Sequence, residues 1–161
     1  MTVLEKIKSF QVDHTKFGIG MYISRVDGDI VTYDLRMVKP NGGVYLKSPS
    51  MHTIEHLMAT YVRNSAFSDN VIYAGPMGCR TGFYLLLKGM SGKDAIKLVQ
   101  ETLSFIADYN DEIPGCTIEE CGNYLEHDLK SANKDVVPLM KKLDGYTEEM
   151  LNYSWHFEQN S

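Results

Sequence analysis

Apolar and polar residues alternate from Val31 to Met37, shortly after an Asp-Gly step, which indicates a β-hairpin. Residues 22–26 precede an Asp27-Gly28 step, and apolar residues then occupy the odd-numbered positions from 31 to 37. A period of two around an Asp-Gly step is typical of antiparallel strands joined by a tight turn. We therefore predict strands over 22–26 and 29–37, followed by a loop that begins at Pro40.

Two longer segments show the period of amphipathic helices. One runs from Ser48-Pro49 to about Asn64 and the other from Ser91 to about Tyr109. Serine caps helices and proline suits their first position, while Ser91 with Asp94 resembles a capping box. The predicted core-facing residues are Ile54, Leu57, Met58, Tyr61 and Val62 in the first helix, and Ala95, Leu98, Val99, Thr102, Leu103 and Ile106 in the second.

Glycine and proline residues divide the remaining chain into shorter elements. We predict a short arm over 1–9, strands over 71–74, 81–88 and 123–127, a helix over 129–143 that Pro138 kinks or ends, and a small helix with a frayed end within 145–161. Strands grouped with helices, without regular β-α-β alternation, indicate an α+β fold. We expect one domain over residues 1–161, with a mostly antiparallel sheet covered by helices on one face.

Length, charge and cysteine content narrow the class of protein. The 161 residues suit one compact domain, and no apolar run approaches the roughly 20 residues that cross a bilayer. The N-terminus lacks the apolar core of a secretory signal. Sixteen basic against 21 acidic residues argue against a nucleic-acid binder, because such a protein needs clustered cations. Three cysteines in such a chain predict free thiols in a reducing cytoplasm.

The most informative motif is His52-Thr53-Ile54-Glu55-His56. Histidines four residues apart lie on one face of a helix, opposite the predicted core-facing residues. Two imidazoles in this arrangement, with Glu55 at the edge of the face, favour a transition-metal site over two surface histidines. The order of residues is the reverse of the His-Glu-x-x-His zinc signature.

Cysteines provide candidates for further chemistry. A thiolate suits Fe²⁺, Co²⁺ or Zn²⁺, and two imidazoles with one thiolate leave a coordination position open. Cys121 and Cys116 both fit this role by spacing, although a buried free cysteine is the commoner role of such residues. Cys79 lies in a glycine-rich turn, where Arg80 is expected to lower the pKa of its thiol and suit it to acid-base chemistry. A small residue that fills the turn is the alternative.

Five stretches in a consistent order resemble the S-ribosylhomocysteine lyases, the LuxS family, over most of the chain. They include Ser9–Thr15, Asp34-Leu35-Arg36 with Pro40-Asn41, His52–Leu57, Gly75–Tyr84, and Ile113-Pro114 with Cys121-Gly122 and His127-Asp128-Leu129. Two departures are visible. Tyr73-Ala74-Gly75 stands where many members read Asp-Ile-Ser, whose acid helps to hold the substrate's amino group. The tail after Thr147 diverges from the family pattern.

The resemblance implies a cytoplasmic bacterial homodimer with two active sites at the subunit interface. It implies one divalent metal per subunit, natively Fe²⁺ and replaceable by Zn²⁺ or Co²⁺, bound by His52, His56 and Cys121. The family's two acid-base residues match Glu55 and Cys79. Its substrate-binding residues match Ser9, His14, Arg36 and Arg63, which partly reach across the interface.

The reaction implied by the resemblance is a carbon-sulfur lyase reaction. S-ribosylhomocysteine is cleaved to homocysteine and 4,5-dihydroxy-2,3-pentanedione, which cyclises to autoinducer-2, a quorum-sensing signal; the reaction also serves the activated methyl cycle. The substrate carbonyl migrates from C1 to C3 through enediolates, and β-elimination then expels the thiol. Metal ions promote such steps as Lewis acids, while Glu55 and Cys79 would transfer protons.

Two other functions fit parts of the sequence. An inverted His-x-x-Glu-His metallopeptidase would need a glutamate as third ligand, for which Glu119 and Glu120 are available, but it leaves Cys79 without a role. A non-catalytic metal-binding homologue is the second alternative. Because both proton-transfer residues of the family are present, we expect an enzyme.

Overall fold

The computed structural model describes residues 3–159, in which four strands form one antiparallel sheet. Their bounds are Gly20–Asp27 for β1, Ile30–Arg36 for β2, Val71–Pro76 for β3 and Gly82–Lys88 for β4. The strands lie in the order β1-β2-β4-β3, and every neighbouring pair is antiparallel. The predicted hairpin at Asp27-Gly28 and the predicted strands near 71–74 and 81–88 are therefore confirmed.

The described residues contain six α-helices and two 3-10 turns. The helices are Lys8–Gln11 (α1), Ser48–Arg63 (α2), Gly92–Asp108 (α3), Leu129–Asp135 (α4), Val137–Lys142 (α5) and Tyr153–Gln159 (α6), and the 3-10 turns are Ser68–Asn70 and Glu148–Leu151. The Ser91 side chain accepts a hydrogen bond from the Asp94 N–H at 3.1 Å, as the capping pattern predicted. No helix within residues 3–159 combines the length and hydropathy of a membrane span.

The hydrophobic core lies between one face of the sheet and helices α2 and α3. Tyr33 and Leu35 of β2 face this core and are almost fully buried. The core-facing residues of the two helices include Ile54, Leu57, Leu98 and Leu103, all fully buried. Burial of each such side chain contributes roughly 1.5–3 kcal/mol. The predicted α+β fold, with an antiparallel sheet and helices packed on it, is confirmed.

The opposite face of the sheet contains buried polar residues that strand alternation alone would leave in solvent. Asp34 and Arg36 are only 1% and 3% exposed, although they point away from the core. Tyr153 of α6 contacts them, because its hydroxyl donates to Asp34 Oδ2 at 2.5 Å. The Tyr153 ring also stacks on Tyr22 of β1, with ring centroids 4.8 Å apart. The tail helix therefore covers part of the second face.

Gly82 permits a close approach between β2 and β4 at the end of the sheet. It pairs with Arg36, and a Cβ atom here would lie 3.1 Å from the Arg36 Cα atom and would overlap the Leu35 carbonyl oxygen. A glycine avoids this overlap. Because the strands meet so closely, the residue before Gly82, Thr81, lies beside the Arg36 side chain.

The predicted strand over 123–127 is wrong, because this segment forms turns. The Glu126 N–H donates to the Asn123 carbonyl oxygen at 3.2 Å. The Asn123 side-chain amide also donates to the Glu126 carboxylate at 2.9 Å. Asparagine side chains favour turns through such local hydrogen bonds, and this preference outweighs the two adjacent apolar residues, Tyr124 and Leu125.

Pro138 divides the predicted helix over 129–143 into α4 and α5. A proline has no N–H to donate to the carbonyl four residues earlier, but it suits the first turn of a new helix, and α5 begins at Val137. The predicted tail helix is α6, and its predicted frayed end extends to residues 160–161, outside the described residues. Residues 1–2 of the predicted arm also lie outside them.

Candidate metal centre

Four potential metal ligands converge where α2 meets the segment that follows Pro114-Gly115. They are His52, His56, Cys121 and His127, whose ligand atoms all lie within 4.8 Å of one another. The Cys121 Sγ atom is 3.3 Å from His52 Nε2 and 3.8 Å from His56 Nε2. The helical spacing of the two histidines thus presents both Nε2 atoms to one thiol.

Backbone carbonyl groups orient the two imidazoles of α2. His52 Nδ1 lies 2.7 Å from the Glu126 carbonyl oxygen, and His56 Nδ1 lies 2.8 Å from the Pro114 carbonyl oxygen. A carbonyl only accepts, so each Nδ1 carries the proton and donates it. Both Nε2 atoms then present lone pairs to the centre of the cluster, which is the tautomer that metal-binding histidines adopt.

The local backbone places the Pro114 carbonyl group and the Cys121 side chain next to the two histidines of α2. Gly115 has a φ of +72°, and a Cβ atom there would lie 3.3 Å from His56 Nδ1. A glycine therefore lets the Pro114 carbonyl reach His56. The Cys121 N–H donates to the Thr117 carbonyl at 3.0 Å, and the Asn123 N–H points at the Cys121 sulfur at 3.4 Å. Cys116 is not part of the four-residue group.

His127 is the member of the group to which the sequence analysis assigned no role. Its ring stacks on His52 with centroids 4.0 Å apart, and its Nδ1 is 3.0 Å from Thr53 Oγ1. Its Nε2 is buried and has no hydrogen-bond partner among residues 3–159. Burial, followed by the neighbouring His52 and His56, lowers the pKa of His127 to about 4, so the ring is neutral near pH 7.

The donor set fits a divalent transition metal. Two oriented imidazoles and a thiol, with a third imidazole whose buried Nε2 is unpartnered, are the nitrogen and sulfur ligands that such ions prefer. The sequence feature that identifies His127 as a candidate ligand is its position six residues after Cys121, within one turn-rich segment. Among the described residues, neither Glu119 nor Glu120 belongs to the group.

Glu55 lies beside the metal ligands on α2 and lines two cavities. The larger, of about 380 Å³, is shared with His52, Gly78 and Arg80. The smaller, of about 280 Å³, is shared with His56 and with Ala59, the small residue on the histidine face of α2. The half-buried carboxylate therefore faces space large enough for a small molecule, next to the metal ligands and close to the turn that carries Cys79.

The cation beside Cys79 is Arg36 rather than the predicted Arg80. Arg36 Nη1 lies 3.9 Å from the Cys79 sulfur and donates to Thr81 Oγ1 at 2.7 Å. The Thr81 Oγ1 atom is itself 3.0 Å from the sulfur. Arg80 has a left-handed backbone with a φ of 61°, and its guanidinium lies over the Tyr45 ring at 5.8 Å. The strained turn thus directs Arg80 away from the thiol.

Arg36 is held in a buried ion pair. Its Nε and Nη2 atoms donate to the two carboxylate oxygens of Asp34 at 3.0 and 2.6 Å. Burial by itself would lower the pKa of Arg36, but the Asp34 carboxylate reverses this effect, so the pKa of Arg36 is raised. The guanidinium keeps its charge, and only its Nη1 group points toward Thr81 and Cys79.

The remaining predicted substrate residues lie in two different places. Ser9 is half-buried in α1, and His14 lies 5.3 Å from the Phe17 ring, which in turn lies 5.2 Å below the Arg36 guanidinium. Arg63, by contrast, is exposed at the end of α2 and donates to the Ile72 carbonyl at 3.3 Å. It lies about 10 Å along the helix axis from His56, at 1.5 Å per residue. The described chain does not bring Arg63 to the metal ligands.

Sequence comparisons identify a family and several relatives to which the chain is similar. The sequence model of the family described as S-Ribosylhomocysteinase (LuxS) matches residues 7–149. A protein of Clostridium acetobutylicum named S-ribosylhomocysteine lyase is 44% identical over 93% of this chain and 99% of its own length.

Two further relatives carry the same name. The Porphyromonas gingivalis protein is 46% identical, and the Borreliella burgdorferi protein is 40% identical. Both alignments cover 93% of this chain and 99% of the relative. The metal ligands, Glu55 and Cys79 all lie within the residues that the family matches. The chain therefore belongs to the S-ribosylhomocysteinase (LuxS) family.

Proposed function

We propose that the protein is a metal-dependent carbon-sulfur lyase that cleaves S-ribosylhomocysteine to homocysteine and 4,5-dihydroxy-2,3-pentanedione, the precursor of autoinducer-2. The observation that carries the proposal is the four-residue ligand group, whose member His52 lines the same cavity as the Glu55 carboxylate. The relatives that share 40–46% of their residues with this chain are all named for this substrate.

A divalent metal bound by His52, His56 and Cys121 would act as a Lewis acid on a substrate carbonyl. Fe²⁺ is our proposal for the native metal, and Zn²⁺ or Co²⁺ also suit two imidazoles and a thiolate. The Glu126 and Pro114 carbonyl groups keep the two imidazoles in the correct tautomer. The chain thus supplies a site that is oriented before the metal arrives.

Glu55 and Cys79 transfer the protons that the reaction requires. Moving the carbonyl from C1 to C2 takes a proton from C2 and returns one to C1, and a second such exchange places the ketone at C3. Each exchange passes through an enediolate and involves no net oxidation. A side chain that takes a proton and returns it nearby performs such a step, and both residues can do so.

The final step breaks the bond between C5 and sulfur. With a ketone at C3, the proton at C4 is acidic, and its removal drives β-elimination. Electrons from the C4–H bond form a C4–C5 double bond, and the C5–S electrons leave with the homocysteine thiolate, which then takes up a proton. Glu55 or Cys79 accepts the C4 proton. The remaining C4 enol then loses its hydroxyl proton and gains a proton at C5, which gives the second carbonyl and the methyl group of the dione, so atoms and electrons balance without a redox cofactor.

We further propose that the active form is a homodimer with substrate residues contributed across the interface. The N-terminal arm supports this proposal, because Val3, Leu4 and Phe10 are 89%, 86% and 70% exposed. Apolar side chains clustered in solvent usually mark an interface. A partner subunit whose arm lies near this site would bring its Ser9 and His14 to the substrate. A cytoplasmic location is also proposed, since Cys79 and Cys121 must stay reduced.

Anaerobic thiol release tests the proposed activity. Purified protein loaded with Fe²⁺ or Co²⁺ is mixed with S-ribosylhomocysteine, and released homocysteine is titrated with a chromogenic disulfide. We expect release above the metal-stripped control, and Cys79→Ala is expected to keep its metal and lose turnover. Full activity of Cys79→Ala would remove its proton-transfer role. No thiol from the metal-loaded wild type would favour a non-catalytic homologue.

Two variants of Cys121 separate the lyase from the metallopeptidase alternative. Cys121→Asp retains an anionic ligand and is expected to bind more metal than Cys121→Ala. If Cys121 is not a ligand, both variants should bind metal as the wild type does. A peptidase site built on Glu119 or Glu120 would give this result, and the same protein would then hydrolyse peptides.

A further inference from the structure

Tyr153 belongs to α6, which follows the segment 7–149 that the family model matches. The sequence of this tail diverges from the family pattern and predicts no function for it. In the structure, however, the Tyr153 hydroxyl donates to Asp34 Oδ2 at 2.5 Å. The tail therefore contacts a residue that is buried behind the candidate active site.

A continuous chain of hydrogen bonds leads from Tyr153 to the Cys79 sulfur. Asp34 accepts from Tyr153 and from the Nε and Nη2 atoms of Arg36. The remaining Nη1 atom of Arg36 donates to Thr81 Oγ1 and approaches the Cys79 sulfur. Asp34, Arg36 and Thr81 are each at most 3% exposed. Solvent therefore does not replace a lost partner easily, and the positions of these groups depend on one another.

The Tyr153 ring packs against Phe17, the ring that lies under the same guanidinium. Its centroid lies 5.0 Å from that of Phe17 and 4.8 Å from that of Tyr22. Phe17 lies under Arg36 at 5.2 Å and next to His14 at 5.3 Å. The ring thus contributes to the layer on which Arg36 and the predicted substrate residue His14 rest.

We propose that Tyr153 is a positioning residue of the active site, which acts through Asp34 to fix Arg36 beside Cys79. Helix α6 then contributes to catalysis by fixing the position of Arg36, in addition to covering part of the sheet. This inference rests on the proposed function in assigning Cys79 a role in turnover. The placement of Arg36 beside the thiol is independent of that assignment.

Tyr153→Phe and Tyr22→Phe form a matched pair for the test. Each removes one hydroxyl group from the same stack of aromatic rings and keeps the rings. The Tyr22 hydroxyl donates to the Gly18 carbonyl at 2.6 Å and not to Asp34. If the two hydroxyl groups only stabilise the fold, both variants should therefore behave alike. If the Tyr153 hydroxyl also positions Arg36, only Tyr153→Phe should be affected.

The direct readout is the rate of Cys79 alkylation by iodoacetamide at pH 7, measured peptide by peptide on metal-loaded protein. Alkylation requires the thiolate. A lost hydrogen bond to a buried charged group is expected to slow alkylation of Cys79 by about three- to tenfold in Tyr153→Phe. In the lyase assay, we expect kcat to fall by a similar factor, with less change in KM. Tyr22→Phe should match the wild type in both measurements.

A double-mutant cycle with Asp34→Asn tests whether Tyr153 acts through Asp34. If it does, Tyr153→Phe should have little further effect on Cys79 alkylation in the Asp34→Asn background. Thermal unfolding and metal content show whether Asp34→Asn is folded. If it is not, the comparison of Tyr153→Phe with Tyr22→Phe still tests whether Tyr153 positions Arg36.

Two results would overturn the inference: wild-type alkylation and kcat in Tyr153→Phe, or equal losses in both tyrosine variants. A wild type that releases no homocysteine contradicts the proposed function instead, and the alkylation rates still report on the positioning of Arg36.

Discussion

At the scale of single residues, chemistry at this site depends on neighbours that fix the direction of each polar group. The carbonyls of Pro114 and Glu126 leave only the Nε2 atoms of His56 and His52 for a metal. Asp34 accepts from two nitrogen atoms of the Arg36 guanidinium and leaves the third, Nη1, for Thr81 and Cys79. Such outer contacts are usually nearly as important as the functional groups they orient.

His127 is expected to strengthen metal binding without being as essential as the other three ligands. Its ring stacks on His52, and its unpartnered Nε2 faces the cluster. We predict that His127→Asn weakens Co²⁺ binding by about tenfold, the lower end of the range for residues around metal ligands. His52→Asn should weaken it by more. Competition with a chromogenic chelator measures both affinities.

Cys116→Ser is the control for this prediction, because Cys116 lies in the same segment but outside the group. Its Co²⁺ affinity should equal that of the wild type. An unchanged affinity in His127→Asn would show that the stacked ring neither binds the metal nor orients His52.

Site residues that lie close together along the chain could be predicted from the sequence. His52 and His56 are one helical turn apart, so their common face follows from the sequence alone. The association of Tyr153 with Asp34 spans 119 residues and depends on how the tail folds back over the sheet. No local sequence pattern encodes such a contact. No local pattern shows either that Arg36, and not Arg80, lies beside Cys79.

At the scale of secondary structure, elements with a strong hydrophobic period were predictable and turn-rich segments were not. The hairpin and α2 have long alternating or helical patterns, which packing against one core reinforces. Residues 123–127 have only two adjacent apolar residues, Tyr124 and Leu125, and side-chain hydrogen bonds within the segment favour turns instead. Cys121 precedes this segment and His127 ends it, so its turns, rather than a strand, bring both candidate metal ligands to α2.

Docking of α6 is expected to depend on pH through His156. This residue is 7% exposed, and its Nε2 lies 2.7 Å from the Met150 carbonyl oxygen. Burial lowers the pKa of His156 despite that hydrogen bond, so the folded chain binds a proton at this ring less readily than the unfolded chain does. Below the ordinary histidine pKa of about 6.5 the unfolded chain binds the proton more readily. The contribution of His156 to stability is therefore present above this pH and is lost as the pH falls.

Urea unfolding between pH 7.5 and pH 5 measures this contribution. We predict that His156→Gln shows a shallower fall in the free energy of unfolding than the wild type. One proton accounts for at most about 1.4 kcal/mol per pH unit. His14→Gln is the control, because it replaces another histidine that lies outside the metal group. Parallel curves for the wild type and His156→Gln would contradict the prediction.

At the scale of the whole molecule, the site lies at one end of the sheet and is open to solvent in the single subunit. Cys79 is exposed in the β3–β4 turn, and the exposed N-terminal arm leads directly to Ser9 and His14. Both features suit a site that a second subunit completes. The sequence indicates this assembly only through resemblance to the family, since no local pattern distinguishes an interface residue from an exposed apolar one.

Phe10 tests the proposed homodimer, because it is a large apolar side chain that is 70% exposed in the single chain. If the arm packs against a partner, a charge at this position would be buried there at high cost. We predict that Phe10→Glu shifts the protein from dimer toward monomer in sedimentation equilibrium and reduces lyase activity more strongly at low protein concentration. Val26→Glu is the control, since Val26 is 58% exposed but lies about 20 Å along β1 from the end at Gly20. A wild type that sediments as a monomer at every concentration, yet cleaves the substrate, would show that one subunit holds a complete active site.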